Sequence, residues 1–237
     1  MIFNEIGFRG DFIQMPPKHR LVAESNFFIL GTSYGDPSLI DKIFDECERE
    51  YLSANQDFDI TSPFPKLTCL DGVSNRIYTT LLFLNDYIYS NYNKSTYSQG
   101  FEFLILQKVN QKIYWAQIGW PNIYLVTKNN ITGLDHSLGQ RPSQQFEAPD
   151  LPHSLLGIHN SLNFRIENSK LHPGEELLFL KSQHLPEDFS KSNQLDNESL
   201  IKNMYMSYPK AGAWVGRLTF SDPLKAVNNR VQNLKVR

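Results

Sequence analysis

Lys112-Ile113-Tyr114-Trp115-Ala116-Gln117-Ile118 and Asn122-Ile123-Tyr124-Leu125-Val126, parted by Gly119-Trp120-Pro121, decide the fold. Both runs are rich in β-branched and aromatic residues and stop at turn formers, so each reads as a strand. Upstream, Phe101-Glu102-Phe103-Leu104-Ile105-Leu106 is another strand, joined to the first by the turn Val109-Asn110-Gln111. Lys128-Asn129-Asn130 closes the last of the three. Farther out, Phe27-Phe28-Ile29-Leu30 is apolar throughout and reads as a strand buried on both faces. Gly31-Thr32-Ser33-Tyr34-Gly35 then reads as a turn.

Asp36 and Pro37 suit the start of a helix, a cap followed by a residue whose missing N–H costs nothing there. Ile40, Ile43, Phe44, Cys47 and Tyr51 share one face of it, and Glu46, Glu48, Arg49 and Glu50 face water. A linker at 54–66, broken by Pro63 and Pro65, leads to a second helix from about Asp71 to about Asn91. A polar loop follows at 91–100. In the C-terminal half, 136–154 reads as a long surface loop. Phe164–Glu167, Leu177–Leu180 and Ala213–Leu218 read as strands, and 197–206 as a weak helix. Helices segregated from a meander of strands argue an α+β class with antiparallel sheets.

Composition narrows the function. The 237 residues carry 23 Lys+Arg and 25 Asp+Glu, a net charge of −2, which gives no broad basic field for nucleic acid. Hydrophobic residues at 41% are enough for a packed core. The longest nearly apolar run, Ile77–Leu84, falls far short of the ~20 residues of a membrane span. Met1–Gly10 contains Glu5 and Arg9 and has no signal-like apolar region. Cys47 and Cys69 are too few for a metal framework and read as two reduced thiols. The expectation is a cytoplasmic protein.

Taken together, these segments resemble the metal-dependent protein phosphatases (PPM, or type 2C, serine/threonine phosphatases). The resemblance covers roughly 7–220. Phe27–Gly35 is similar to the family's strand and glycine turn before its first long helix. Gly100-Phe101 is similar to its strand beginning Gly-Thr. Tyr114–Leu125 resembles its "vanvGDSraYl" hairpin, Leu155-Leu156-Gly157 its "raLG" step, and Leu171–Leu185 its "l.pGDrlLLcSDGL" segment. This implies a four-layer α-β-β-α sandwich, two antiparallel sheets flanked by helix pairs, over 1–220, with 221–237 as an amphipathic tail.

The family's chemistry uses two Mg or Mn ions to activate a water, and such hard cations need anionic oxygens. The positions that should carry aspartate here read otherwise. They fall on Gly31 (in Leu30-Gly31-Thr32), Trp120 (in Gly119-Trp120-Pro121), Gln183 (in Ser182-Gln183-His184-Leu185) and Ala211 (in Lys210-Ala211-Gly212-Ala213). Asp11 alone matches the family's first acidic position. Asp71-Gly72 follows the first helix rather than preceding it, so Asp71 reads as a helix cap. The resemblance therefore implies a pseudophosphatase without catalytic residues or cofactor, in which Trp120 fills the emptied cleft. Removing clustered carboxylates also removes their mutual repulsion.

Such a domain is expected in a bacterial cytoplasm, binding or regulating a protein: a phosphoprotein, a kinase or an active phosphatase. A structural subunit of a secretion or signalling assembly differs only in its partner. The alternative is an active phosphatase or other phosphohydrolase with a rearranged Mg or Mn site, for which Asp11 and His184 are the candidates. Ser182 with His184 forms a nucleophile–base pair only if a third group supports it. His153, His159, His172 and His184 lack zinc-ligand spacing, and Gly31–Gly35 lacks the Gly-Lys-Ser/Thr of a phosphate loop. Leu224, Val227, Val231 and Leu234 recur at helical spacing beside Lys225, Arg230, Lys235 and Arg237. They suit docking on the chain's own domain, a partner or second copy, or an anionic membrane surface. Tyr87, Tyr89, Tyr92 and Tyr97 gather near one loop and suit a protein interface.

Overall fold

The computed structural model describes residues 1–9, 16–56, 64–134, 154–182, 185–186, 188–210 and 212–220. In chain order the elements are β1 (Ile2–Phe8), β2 (Lys18–Val22), β3 (Phe27–Tyr34), α1 (Leu39–Gln56), α2 (Gly72–Ile88), β4 (Gly100–Val109) and β5 (Lys112–Ile118). After these come β6 (Asn122–Val126), β7 (Ile131–Gly133), β8 (Ile166–Lys170), β9 (Glu176–Lys181), α3 (Asn197–Ser207) and β10 (Ala213–Thr219). They fall into two compact units, each built on one five-stranded antiparallel sheet.

The β4 unit has the order β2-β3-β4-β5-β8. One face of its sheet presents Phe27, Ile29, Phe101, Phe103, Ile105, Tyr114, Ala116 and Ile118 to the helices. Ile40, Ile43, Phe44, Cys47 and Tyr51 of α1 meet them, with Ile77, Leu81, Leu84 and Ile88 of α2. Each fully buried aliphatic or phenyl side chain contributes about 1.5–3 kcal/mol. Asp71 caps α2, accepting the Ser74 N–H at 2.8 Å. The helix ends earlier than its apolar spacing suggests, at Ile88, and widens into a π-turn over Tyr89–Asn93. There the buried Asn93 side chain takes over: it donates to the Gln99 and Gly157 carbonyls and accepts from Ser98 and Gln99 N–H. Asn85, also buried, accepts the Gly157 N–H and donates to the His159 carbonyl, both at 2.8 Å. These two amides fasten 157–159 to the helix layer.

The β9 unit has the order β1-β10-β9-β6-β7. Tyr124, Val126, Leu178, Leu180, Ala213 and Val215 pack against Leu200, Ile201 and Met204 of α3 and against Phe189. Asp196 caps α3 through the Ser199 N–H. Arg217, largely buried, donates to Asn197 Oδ1, Glu176 Oε2 and the Leu195 carbonyl.

Several expectations need correction. Gly31–Tyr34 is not a turn: it continues β3, because all four residues pair with β4 and all but Tyr34 are buried. The turn comes only at Gly35, where φ is +123°. The chain also opens with strands, not one strand and two helices. β1 and β2 escape a reading by apolar runs because they are half-exposed edge strands that mix charge with apolar residues. β8 lies two residues later than Phe164–Glu167. Cys47 is a buried free thiol and Cys69 an exposed one.

Candidate functional site

In the β4 unit the sheet face turned away from the helices carries a polar cluster at the Gly100 end. Alternation along β4 sends Phe101 and Phe103 into the helix-facing core and Glu102 to the opposite face. Glu102 is 2% exposed. Its strand partner is Thr32, and Tyr34 lies two residues farther along β3 on the same face. Beyond β5 the chain turns at Gly119 with φ +74°. A Cβ there would stand 2.6 Å from Glu102 Cγ, so glycine is what allows the backbone this close. Gln117 Nε2 donates to the Gly119 carbonyl at 2.6 Å, which steadies the turn. Trp120 N–H then donates to Glu102 Oε1 at 3.2 Å.

Tyr34 donates its hydroxyl to Glu102. Burial pushes the Tyr34 phenol far above its ordinary value, and the Glu102 charge and hydrogen bond push it the same way. Tyr34 is thus held neutral as a donor and is neither a base nor a nucleophile near neutral pH. Glu102 in turn has lone pairs committed to Tyr34 and Trp120.

In the β9 unit, Leu178 and Leu180 face α3, so Lys181 points to the other face of β9. Lys181 and Ser182 are each 3% exposed. Lys181 pairs with Trp214, whose Nε1 donates to Glu5 Oε2 at 3.1 Å.

The positions singled out from the sequence separate clearly. Trp120 is half-buried and joins the Glu102 cluster through its backbone. Gly31 stands elsewhere: a Cβ on it would meet Ile40, Phe44 and Phe103, so it faces the helix-side core. On β3 it is Thr32 and Tyr34 that share the face of Glu102. Asp11, Gln183, His184, Ala211, Leu224, Val227, Val231 and Leu234 lie outside the described residues, as does His153. Sequence reading passed over Glu102 and Tyr34. The usable signal was Glu102 itself, a lone charge inside an apolar strand, which demands a buried partner.

A pair of hard dications does not fit the donors present at this cluster. Such ions need several free anionic oxygens, and Glu102 is already bonded to a phenol and a backbone N–H. Among the described residues no group of three or more His, Cys, Asp or Glu could hold a metal ion. His159 and His172 are not brought into such a group.

No family model matches the sequence, and no curated protein sequence does. Solved structures do. PppA, a key regulatory component of T6SS in Pseudomonas aeruginosa, is similar over 92% of this chain and 97% of its own at a TM-score of 0.62 and 12% identity. The PPM Ser-Thr phosphatase MsPP from Mycobacterium smegmatis, in complex with cacodylate, is similar over 93% and 99% at 0.60 and 9% identity. The catalytic domain of PstP, in complex with 2 manganese ions, is similar over 93% and 98% at 0.56 and 12% identity.

The chain has the fold of the PPM-type serine/threonine phosphatases.

That likeness agrees with two antiparallel sheets and their helices in an α+β chain. At 9–12% identity the PPM-type fold is shared while the side chains are free to differ. No helix among the described residues is long and apolar enough to cross a membrane.

Proposed function

We propose that the chain is a catalytically inactive, phosphatase-like domain that binds or regulates a protein in the cytoplasm and uses no metal cofactor. One observation carries this reading. Where the PPM hairpin would place a metal-binding aspartate, Trp120 stands, and its N–H is spent on Glu102, whose carboxylate also holds the Tyr34 hydroxyl. A carboxylate so engaged, with a neutral phenol beside it, supplies neither an ion cage nor a nucleophile. The likeness to PppA, itself described as a regulatory component, supports a regulatory role with a protein partner such as a phosphoprotein, a kinase or an active phosphatase.

The test combines melting and turnover. The full chain is melted with Mn and with EDTA, and hydrolysis of p-nitrophenyl phosphate is followed with Mn. The expected result is an unmoved transition and no hydrolysis above background. A metal-dependent rise of many degrees, or turnover lost on Asp11→Ala or His184→Ala, would establish instead an active phosphohydrolase with a rearranged Mg or Mn site. Capture from the native cell tests the binding half: a stoichiometric protein partner supports it, and recovery of none overturns it.

A further inference from the structure

In the β4 unit, three polar side chains meet without partners where the end of α1 lies against the start of α2. Tyr51 of α1 is 3% exposed and Thr80 of α2 is 1% exposed. The Tyr51 and Thr80 hydroxyls make no hydrogen bond, and the Nε of half-buried Arg76 is likewise unbonded. The Arg76 guanidinium carbon lies 5.9 Å from the centre of the Tyr51 ring. Phe27 stacks on the same ring at 4.1 Å and holds it in place. Arg76 and Thr80 are one turn apart on α2, on the side where Tyr87 receives Lys42 of α1. The neighbouring Thr79 shows the contrast: its hydroxyl donates to the Asn75 and Arg76 carbonyls, whereas Thr80 spends nothing on its own helix.

Buried hydroxyls and a half-buried guanidinium are costly unless something answers them. Among the described residues no ion pair reaches Arg76, and the acidic residues on this flank of α1, Glu46 and Glu50, both pair with Arg49. Two hydroxyl donors around a guanidinium, with no carboxylate of their own, are the donor set of an oxyanion site. The positive end of α2, about one turn away, favours the same charge. We propose that Tyr51, Arg76 and Thr80 bind a small free oxyanion, hydrogen phosphate. Donors arriving from two helices suit a tetrahedral ion, and the depth of the hydroxyls restricts its size. Gln107, the strand partner of Phe27, brings one more unpartnered atom, Oε1, to the same sheet face. That acceptor favours an ion that keeps a proton, so phosphate over sulfate. The site lies on the helix side of the sheet, opposite the face of Glu102.

Calorimetry and melting of the full chain in EDTA test this, with inorganic phosphate as the probe and sodium chloride at matched ionic strength as the control. EDTA separates the outcome from that of the proposed function, because phosphate held by metal ions is lost there and phosphate held by Arg76 is not. The chain is expected to bind phosphate and to melt higher in it. Sulfate and O-phosphoserine are each expected to bind at least tenfold more weakly. Tyr51→Phe and Thr80→Val each remove one donor and keep the packing, and each is expected to weaken phosphate at least tenfold. Since neither hydroxyl bonds within the chain, both variants are expected to melt no lower than wild type without phosphate. No binding, unchanged binding in both variants, or sulfate or phosphoserine bound as tightly would overturn the proposal. A clear loss of stability in either variant without phosphate would also overturn it, because the hydroxyls would then be bonded already. Binding that emerges only in Asp57→Asn with Asp59→Asn would make the chain's own carboxylates the partners of Arg76 and overturn it as well.

Discussion

Gly119→Ala and Gly174→Ala form a matched pair. Both glycines have positive φ, +74° and +87°. An alanine in that region carries a backbone cost of about 1 kcal/mol. At Gly174 nothing lies within 4 Å of the added Cβ, so this cost is the whole effect. At Gly119 the Cβ would stand 2.6 Å from Glu102 Cγ and 3.2 Å from Glu102 Cβ, and Glu102 is 2% exposed. Either the overlap persists, which adds about 1–3 kcal/mol, or Glu102 retreats. Retreat breaks the bond from Trp120 N–H, a hydrogen bond to a charged group worth about 1.5–3 kcal/mol. The expected total for Gly119→Ala is thus about 2–4 kcal/mol. Urea unfolding followed by tryptophan fluorescence and circular dichroism measures both variants. Equal losses in the two would show that the Gly119 backbone does not press on Glu102, and the account of the polar cluster would fall with it.

Asn85→Ala strands the Gly157 N–H and His159 carbonyl and is expected to cost about 2–4 kcal/mol in chemical denaturation. Tyr34→Phe bears on pH. The folded-state value of Tyr34 is raised, so its contribution is fully present below the ordinary tyrosine range and is lost as pH rises through and beyond it. Wild-type stability is therefore expected to fall more steeply than that of Tyr34→Phe from about pH 10 upward, and parallel curves would refute the Glu102 bond. Arg217→Lys keeps the charge but not the three-way fork to Asn197, Glu176 and Leu195, and melting is expected to show a loss of about 1–3 kcal/mol.

The strand pair Lys112–Ile118 and Asn122–Val126 was legible because buried strands leave dense apolar runs, and both appear with the expected bounds. The α1 face from Ile40 to Tyr51 was legible for the same reason at helical period. β1 and β2 were not: these edge strands mix charged, polar and apolar residues and show neither a run nor clean alternation. Gly31 shows the reverse failure. A glycine followed by polar residues reads as a turn, yet here it lets Ile40, Phe44 and Phe103 close over a strand.

The sequence alone determined the class, α+β, the identities of the residues standing at Gly31 and Trp120, and the likeness to a phosphatase scaffold. Those follow from local pattern and motif order, which need no third dimension. Only the tertiary structure decided that Glu102, Tyr34 and the Gly119–Trp120 turn meet, and that Gly31 does not join them. Strand pairing sets which residues from distant parts of the chain share a face, and a pleat sends neighbours in sequence to opposite sides.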